Sequence, residues 1–321
     1  MTGKIARLLP LALVAVALTA ASALATTPPP PTATTGPANH ITYDSANVQG
    51  SSNPKGAATE VYFEYGTSTK YGENSAPIPI TGNTTQGVSA TLSGLAAFTT
   101  YDYRVAAVNA NGTVYGANGH FKTAKIPLSL QIAATPNPIG YGGLLTVAGT
   151  LSGTGNASQP VALQQNPYPY TAGFTPVGNS ELTSSTGAYS FTVPALQEST
   201  QYRVVSTSNP NLMSPTTLVT DSLVVTVHTH AVGTRAHLAT RFTGSVAPGT
   251  ETDAQFAIQE LVGHTWKLVN GGTTANSATN GVVRFSKVVH FKRGGFFRIF
   301  VGTVQGANAE SFSPPVAVRG Y

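Results

Sequence analysis

Short segments of alternating polar and apolar residues, separated by turn residues about every ten positions, constrain the fold of this chain most strongly. Residues 61–65 are followed by Gly66, and residues 100–108 are followed by Asn-Ala-Asn-Gly. Side chains on a β-strand point alternately to opposite faces, so this pattern predicts strands. No window shows the sustained period of about 3.6 that a helix requires. Many short strands with turns at this spacing predict β-sandwiches or barrels.

The composition supports the all-β interpretation and excludes several kinds of site. Only 9 % of the residues are charged, whereas about 25 % is usual, so Thr, Ser, Asn and Gln must cover the surface. Exposed helices would instead require Glu, Lys and Arg. Cysteine is absent, which excludes disulfides, Cys-based zinc sites, iron–sulfur clusters and thiol nucleophiles. A chain of 321 residues is long enough for two or three domains.

The N-terminal residues 1–25 have the pattern of a secretory signal peptide. Lys4 and Arg7 precede an apolar stretch, and Ala-Leu-Ala at 23–25 forms a cleavage site of the small-x-small type. The apolar stretch is shorter than the roughly 18–20 residues that cross a bilayer, so the pattern favours export over a membrane anchor. Residues 26–37 are rich in Pro and Thr and are predicted to form an extended polyproline II linker.

The first predicted domain spans residues 38–125 and carries a family resemblance. Residues 95–107, from Leu-Ala-Ala-Phe-Thr-Thr-Tyr into an alternating strand, resemble the leucine-x-proline-x-threonine-x-tyrosine signature of fibronectin type III domains. Residues 53–56 and 63–66 resemble the bacterial extracellular variety of that domain. Ala97 stands where the family usually has proline, and this segment has no tryptophan. The resemblance implies a structural role for Tyr101 as a tyrosine corner and brings no catalytic residue.

The second and third predicted domains, residues 126–226 and 227–321, correspond to each other block by block. The corresponding blocks are 160–165 and 255–260, 187–193 and 281–288, 201–205 and 296–300, and Ser214-Pro215 and Ser313-Pro314. A repeat of roughly 95 residues suits tandem sandwiches, and both copies resemble bacterial immunoglobulin-like repeats. Tyr202, within one of these blocks, is assigned a structural role. The expected fold is therefore all-β, with three tandem β-sandwich domains of fibronectin type III or immunoglobulin type.

No recognisable pattern predicts catalysis. The sequence lacks a Gly-x-Ser-x-Gly elbow, a His-Glu-x-x-His motif and a phosphate-binding loop. Glu60 and Glu64 are four residues apart and could share a strand face, but a solvated sheet face is the preferred interpretation. We therefore expect a protein that is not an enzyme and has no cofactor.

Histidines are concentrated in the last domain. His228 and His230 lie two positions apart, which places both on one face of a predicted strand. A metal site requires at least a third ligand, and none follows at a telling spacing. The sequence therefore predicts no metal site, and two exposed histidines are the preferred interpretation.

The last domain also carries the excess of basic residues. Residues 227–321 contain nine Lys or Arg and four Asp or Glu, a net charge of +5. Lys292 and Arg293 lie at the predicted tip of a loop between two strands and are candidate ligands for an acidic polymer. The alternative is that they only keep the loop soluble. Nucleic-acid binding would require a larger basic stripe and is not predicted.

Aromatic residues provide a second candidate binding site. Tyr168 and Tyr170 lie in a proline-framed loop, where they could stack on sugar rings or pack over one end of the sandwich. Trp266 is the only tryptophan and lies on a predicted strand, where burial is the expectation.

These observations predict an exported, non-enzymatic protein that binds or spaces at the cell surface or in the extracellular medium, in the manner of an adhesion protein. Its expected partners are a cell-wall polymer, an acidic polysaccharide or another surface protein, with no nucleic acid and no membrane span in the mature chain. The alternative is a carbohydrate-binding accessory protein for polysaccharide degradation.

Overall fold

The computed structural model describes residues 29–233, 239–291 and 293–319. The regular secondary structure of these residues consists of β-strands. The chain divides into two compact units, Met1–Ala124 and Lys125–Tyr321. The signal peptide predicted for residues 1–25 lies outside the described residues. None of the described segments forms a helix with the length and apolarity needed to traverse a bilayer.

The first unit is one β-sandwich. Its strands are β1 (Thr32–Asn39), β2 (Ser45–Asn53), β3 (Thr59–Gly66), β4 (Glu73–Asn74), β5 (Ile78–Ile80), β6 (Gln86–Ser93), β7 (Thr100–Asn109), β8 (Gly112–Tyr115) and β9 (Gly119–Lys122). One sheet has the order β1-β2-β6, and the other has the order β4-β3-β7-β8 with β5 on β3 and β9 on β7. The core lies between the sheets, because Val48 and Leu92 of the first sheet pack with Phe63 and Val105 of the second.

Strand β1 begins inside the segment that the sequence predicts to be a linker. Residues 32–39 pair with β2, and the register shifts between Thr35 and Ala38. The backbone N–H of Val105 donates to the Thr35 hydroxyl at 3.1 Å, and the Tyr103 hydroxyl donates to the Gly36 carbonyl at 2.7 Å. Pro37, which has no N–H to donate, sits at this irregularity. Pairing with β2 and these two bonds to β7 therefore hold as a strand a segment that composition alone assigns to a spacer.

The second unit contains two further sandwiches, each with its own core. The strands of the first of these are β10 (Ser129–Thr135), β11 (Ile139–Gly140), β12 (Leu145–Ser152), β13 (Pro160–Pro167), β14 (Thr175–Leu182), β15 (Ala188–Val193), β16 (Thr200–Ser206), β17 (Thr217–Val219) and β18 (Asp221–Ser222). Its two main sheets have the orders β10-β12-β15 and β14-β13-β16-β17, and β11 pairs with β18 in parallel.

The third sandwich completes the second unit. Its strands are β19 (Val224–Val232), β20 (Ala239–Ala247), β21 (Gln255–Val262), β22 (Thr265–Thr273), β23 (Ala278–Thr279), β24 (Val282–Val289), β25 (Gly295–Val301), β26 (Ser311–Phe312) and β27 (Val316–Val318). The sheets have the orders β19-β20-β24-β23 and β22-β21-β25-β26, with β27 also on β25. The prediction of an all-β chain of tandem β-sandwiches is confirmed.

The internal repeat predicted for the second and third sandwiches extends to individual hydrogen bonds. Ser214 Oγ accepts the N–H of Val204 at 2.9 Å and donates to the Pro215 carbonyl at 2.9 Å. Ser313 Oγ accepts the N–H of Ile299 at 2.9 Å and donates to the Pro314 carbonyl at 3.0 Å. In each copy, therefore, the serine side chain before the proline accepts a backbone N–H that a carbonyl of a paired strand would otherwise accept.

The second and third sandwiches join without a linker. Val219 packs in the second core and Leu223 in the third, so the chain passes between them a few residues before the predicted boundary at 226. A loop of the third sandwich is bonded to the second: Ser199 N–H donates to the Ala307 carbonyl at 2.8 Å, and Ala309 N–H donates to the Asp221 carbonyl. The junction is thus held by backbone bonds on both sides of the crossing point.

Asp221 is a fully buried carboxyl group at this junction. Its Oδ2 accepts a hydrogen bond from Asn308 Nδ2 at 2.8 Å, while its Oδ1 has no hydrogen-bond partner among the described residues. Burial raises the pKa of Asp221 to about 7, and the charge of Glu198 adds to the rise, against the opposing effect of the Asn308 bond. The folded junction therefore favours the protonated acid.

The substitution Asp221→Asn should remove a pH dependence of stability. Because the folded pKa lies above the unfolded value of 3.8, the stabilisation from protonated Asp221 is complete below about pH 4 and is lost as the pH rises through 7. We expect the wild-type chain to lose on the order of 2 kcal/mol from this group between pH 5 and pH 8, and the variant to lack that loss. Urea unfolding of both proteins at several pH values measures the difference. Parallel curves for the two proteins would contradict the assignment.

Candidate functional site

Each sandwich carries an arginine at the same position of the fold. The three are Arg104 on β7, Arg203 on β16 and Arg298 on β25. Each follows a buried aromatic residue, namely Tyr103, Tyr202 or Phe297. Since side chains alternate along a strand, the ring enters the core and the arginine lies on the outer face of its sheet.

The residue directly across the neighbouring strand fixes each guanidinium. Arg104 lies opposite Glu64, Arg203 opposite Gln164, and Arg298 opposite Gln259. In all three pairs the arginine Nε donates to the facing side-chain oxygen at 2.8 Å. The same cross-strand pair thus occurs three times, once with a carboxylate and twice with an amide.

Aromatic rings cover the three guanidinium groups to different extents. The Arg104 Cζ lies 3.7 Å from the Tyr115 ring centroid and 4.7 Å from that of Tyr71. The Arg203 Cζ lies 4.1 Å from the Phe174 ring centroid. The Arg298 Cζ lies 3.8 Å from the Phe312 ring centroid and 4.5 Å from that of Trp266. We call these groups the first, second and third arginine clusters; each consists of its arginine, the facing Glu or Gln and these rings.

The first arginine cluster is neutralised internally, and the other two are not. Glu64 Oε2 also accepts from Arg104 Nη2 at 2.7 Å, and both side chains are largely shielded from solvent. Arg104 and Glu64 therefore form a salt bridge. Arg203 and Arg298 therefore face neutral amides and have no carboxylate partner among the described residues.

The third arginine cluster lies in an apolar surface. Phe297, Ile299 and Val301 fill the core, so the alternate residues of β25 face outward. Residues on this outer face and on the strands beside it are Trp266, Leu268, Phe296, Phe300 and Phe312, which we call the aromatic face. Leu268 is 71 % exposed, Phe296 55 % and Phe312 44 %. Trp266, expected to be buried, is half-buried on this face because its strand packs only one side against the core.

The tyrosine loop predicted from the sequence lies at the end of the second sandwich next to the third. Tyr168 is 37 % exposed, and the rings of Tyr168 and Tyr170 meet edge to face with 5.7 Å between their centroids. A Cβ placed on Gly306 of the third sandwich would lie 3.3 Å from the Tyr168 hydroxyl. Asn166 Nδ2 donates to the Tyr170 carbonyl at 3.0 Å. These contacts describe a loop packed at the junction.

The basic loop connects β24 and β25. Arg293 is exposed, and Lys292 lies outside the described residues. Phe291 turns inward, with its ring centroid 4.4 Å from that of Phe297. The loop is therefore anchored by a ring and carries at least one solvent-facing cation.

The two residues assigned structural roles both contribute to cores. The Ala96 N–H donates to the Tyr101 hydroxyl at 2.9 Å, across five residues of backbone. Tyr202 is fully buried, and burial raises the pKa of its hydroxyl to about 12.

His228 and His230 are both exposed on one side of β19. His228 lies opposite Thr243 and His230 opposite Arg241 on the neighbouring strand. No group of three His, Cys, Asp or Glu side chains suited to hold a metal ion occurs in the described part of the chain.

The arginine clusters were not singled out from the sequence. The repeat places Arg203 opposite Arg298 and Gln164 opposite Gln259 in the alignment, so a pattern was present. What the sequence does not reveal is the strand register that brings Gln259 and Phe312 to Arg298 from three different segments.

Comparisons with known proteins assign no family to this chain. No family model matches the chain, and no curated protein matches it. A solved structure, that of the chicken CNTN1 FN1–FN3 domains, matches over 91 % of this chain and 99 % of its own length, with 16 % identity and a TM-score of 0.30. A likeness with a score this low carries no argument.

Replacing Arg104 by lysine should destabilise the first unit. Lysine cannot donate from a planar fork to Glu64 or stack in the same way on Tyr115. We expect Arg104→Lys to lower the free energy of unfolding by about 1 kcal/mol, measured by urea denaturation. The control Arg241→Lys changes an exposed arginine and should have an effect within about 0.5 kcal/mol. Equal losses in the two variants would show that the cluster contributes no particular stability.

Proposed function

We propose that this chain is an exported, non-enzymatic protein that serves as a binding protein and spacer at the cell surface or in the surrounding matrix. Its principal binding surface lies on the third sandwich. The observation that carries the proposal is the aromatic face around Arg298. The predicted signal peptide supports export. The tandem sandwiches, which offer sheet faces and loops for contacts, support a binding role.

Contiguous exposed apolar surface is unusual on a soluble domain and is typical of a contact site. Phe296, Leu268 and Phe312 are each at least 44 % exposed and lie on β25, on β22 and on β26. β25 is paired with β26 and is separated from β22 only by β21. With neighbouring strands about 4.8 Å apart, these side chains form one surface rather than isolated positions.

The spacing part of the proposal rests on the junction of the second and third sandwiches. Leu223 N–H donates to the Ala309 carbonyl at 3.1 Å, directly after the bond from Ala309 to Asp221. A connection with backbone bonds on both sides restricts the rotation that a flexible linker would permit. The third sandwich would therefore be presented in a defined direction by the second.

A carbohydrate-binding accessory protein for polysaccharide degradation is the second candidate, and the same aromatic face favours it. Flat rings on a sheet surface suit the apolar faces of sugar rings. Tyr168 and Tyr170 remain an alternative platform, and Lys292 and Arg293 remain an alternative contact for a cell-wall polymer, an acidic polysaccharide or an acidic surface protein.

Co-sedimentation of residues 26–321 with isolated cell wall and with insoluble polysaccharides tests the proposal. We expect binding that the double variant Leu268→Ser, Phe296→Ser reduces at least about fivefold, because exposed apolar contacts are removed while the core is left intact. The matched control is Leu182→Ser with Leu144→Ser, since these leucines are 66 % and 62 % exposed on the second sandwich.

Other variants assign the binding surface. A loss confined to Lys292→Ala with Arg293→Ala, and reversed by low salt, would move the contact to the basic loop. A loss confined to Tyr168→Ala with Tyr170→Ala would move it to the tyrosine loop. Failure of the wild-type chain to sediment with any of these materials would contradict a binding function.

A further inference from the structure

The three arginine clusters provide an internal comparison that identifies a ligand chemistry. In the first arginine cluster, a carboxylate of the chain itself lies against the stacked guanidinium, with Glu64 Oε2 2.8 Å from Nε and 2.7 Å from Nη2 of Arg104. In the third arginine cluster the facing residue is Gln259, which bonds only Nε of Arg298. The Nη groups of Arg298 have no carboxylate against them among the described residues.

We propose that the third arginine cluster binds a carboxylated polysaccharide, whose carboxylate takes the place on Arg298 that Glu64 takes on Arg104. This inference rests on the proposed function and specifies the ligand of the aromatic face. The carboxylate accepts hydrogen bonds from the Nη groups of Arg298, and sugar rings lie against the aromatic side chains around it. Arginine is suited to this task because its planar fork donates two parallel bonds to a carboxylate.

The flanking rings pre-orient the Arg298 guanidinium for binding an anion. Phe312 and Trp266 lie 3.8 and 4.5 Å from the Arg298 Cζ and hold the side chain in one orientation. Phe312 is itself fixed by Phe300, with 5.1 Å between the ring centroids. Burial lowers the pKa of the Arg298 guanidinium below its ordinary value. A partly desolvated, pre-oriented cation loses less hydration and less side-chain freedom when an anion binds.

The second arginine cluster is less suited to the same ligand. Arg203 has one ring beside it, Phe174, and its Nη1 lies 3.7 Å from the Met213 sulfur. The third arginine cluster alone combines rings from two strands with an exposed apolar surface on the same sheet. The surrounding sandwich carries a net charge of +5 over residues 227–321, which also favours an anionic partner.

A polysaccharide fits this face better than an acidic peptide. On β25 one cation, Arg298, lies among aromatic rings, so a polymer that carries a carboxylate on a ring with apolar faces matches both the guanidinium and the side chains around it. An acidic peptide would gain from several cations, and no second Lys or Arg shares the outer residues of β25, which are Phe296, Arg298 and Phe300.

Titration of residues 26–321 with polygalacturonate, with its fully methyl-esterified form and with a neutral glucan tests the inference. We expect the wild-type chain to bind polygalacturonate at least about tenfold more tightly than either neutral polymer, because charge-assisted bonds to the guanidinium are lost when the carboxylate is esterified. Equal affinity for the esterified polymer would overturn the inference.

Two variants address Arg298 directly. Arg298→Gln should weaken binding of polygalacturonate at least about tenfold. Gln259→Glu should weaken binding as much, because the new carboxylate would pair with Arg298 as Glu64 pairs with Arg104. The first sandwich folds with such a pair, so the substitution should be compatible with the fold. The matched control Arg241→Gln removes the same charge from the opposite sheet and should change affinity less than about twofold.

The remaining outcomes separate a failure of this inference from a failure of the proposed function. Equal losses in Arg298→Gln and Arg241→Gln would indicate general attraction to a basic surface and would overturn the site. Wild-type binding to isolated cell wall without binding to polygalacturonate would overturn the carboxylate ligand and leave the proposed function in place. Unfolding curves of all variants separate loss of binding from loss of fold, and Gln259→Glu, which pairs Arg298 rather than removing it, should lose binding without losing stability.

Discussion

The pairing of the two central strands in the larger sheet of each sandwich is the interaction on which the remaining structure depends. The pair is β3 with β7, β13 with β16, and β21 with β25. Its register fixes which residues enter the core and which reach solvent, because a shift by one residue would exchange the two sets. Tyr103, Tyr202 and Phe297 are inside, and the arginine after each is outside, for the same geometrical reason.

The same register makes the three sandwiches chemically comparable. Glu64, Gln164 and Gln259 occupy one position, and exchanging a carboxylate for an amide there changes the state of the arginine opposite. A cation with an internal partner contributes to stability, whereas a cation without one is available to an external anion. Sandwiches that share this fold therefore need not use the equivalent arginine for the same purpose.

Much of the architecture could be predicted from the sequence, because it depends on local patterns. Period-two alternation and regular turns indicate the sandwiches, and the paired blocks indicate the repeat, down to Ser214-Pro215 and Ser313-Pro314. Composition predicts a linker over residues 26–37, yet β1 begins within it at Thr32. Pairing with β2 makes this part a strand, and bonds from Tyr103 and Val105, about seventy residues away, add to that pairing. Long-range bonds of this kind leave no local pattern.

The candidate site was less predictable than the fold for a related reason. Trp266, Arg298 and Phe312 come from three strands, and none of them stands out alone: a tryptophan on a strand is usually buried, and an arginine on a strand is usually a solvated residue. Together they form a candidate binding site, because Trp266 and Phe312 both contact the Arg298 guanidinium on a face that remains exposed. Such a surface is costly for a protein that has no use for it, since exposed rings favour association. A partner that covers them would explain the apolar side chains around Arg298. The guanidinium at their centre, which has no carboxylate partner among the described residues, is the reason for proposing that this partner brings a negative charge.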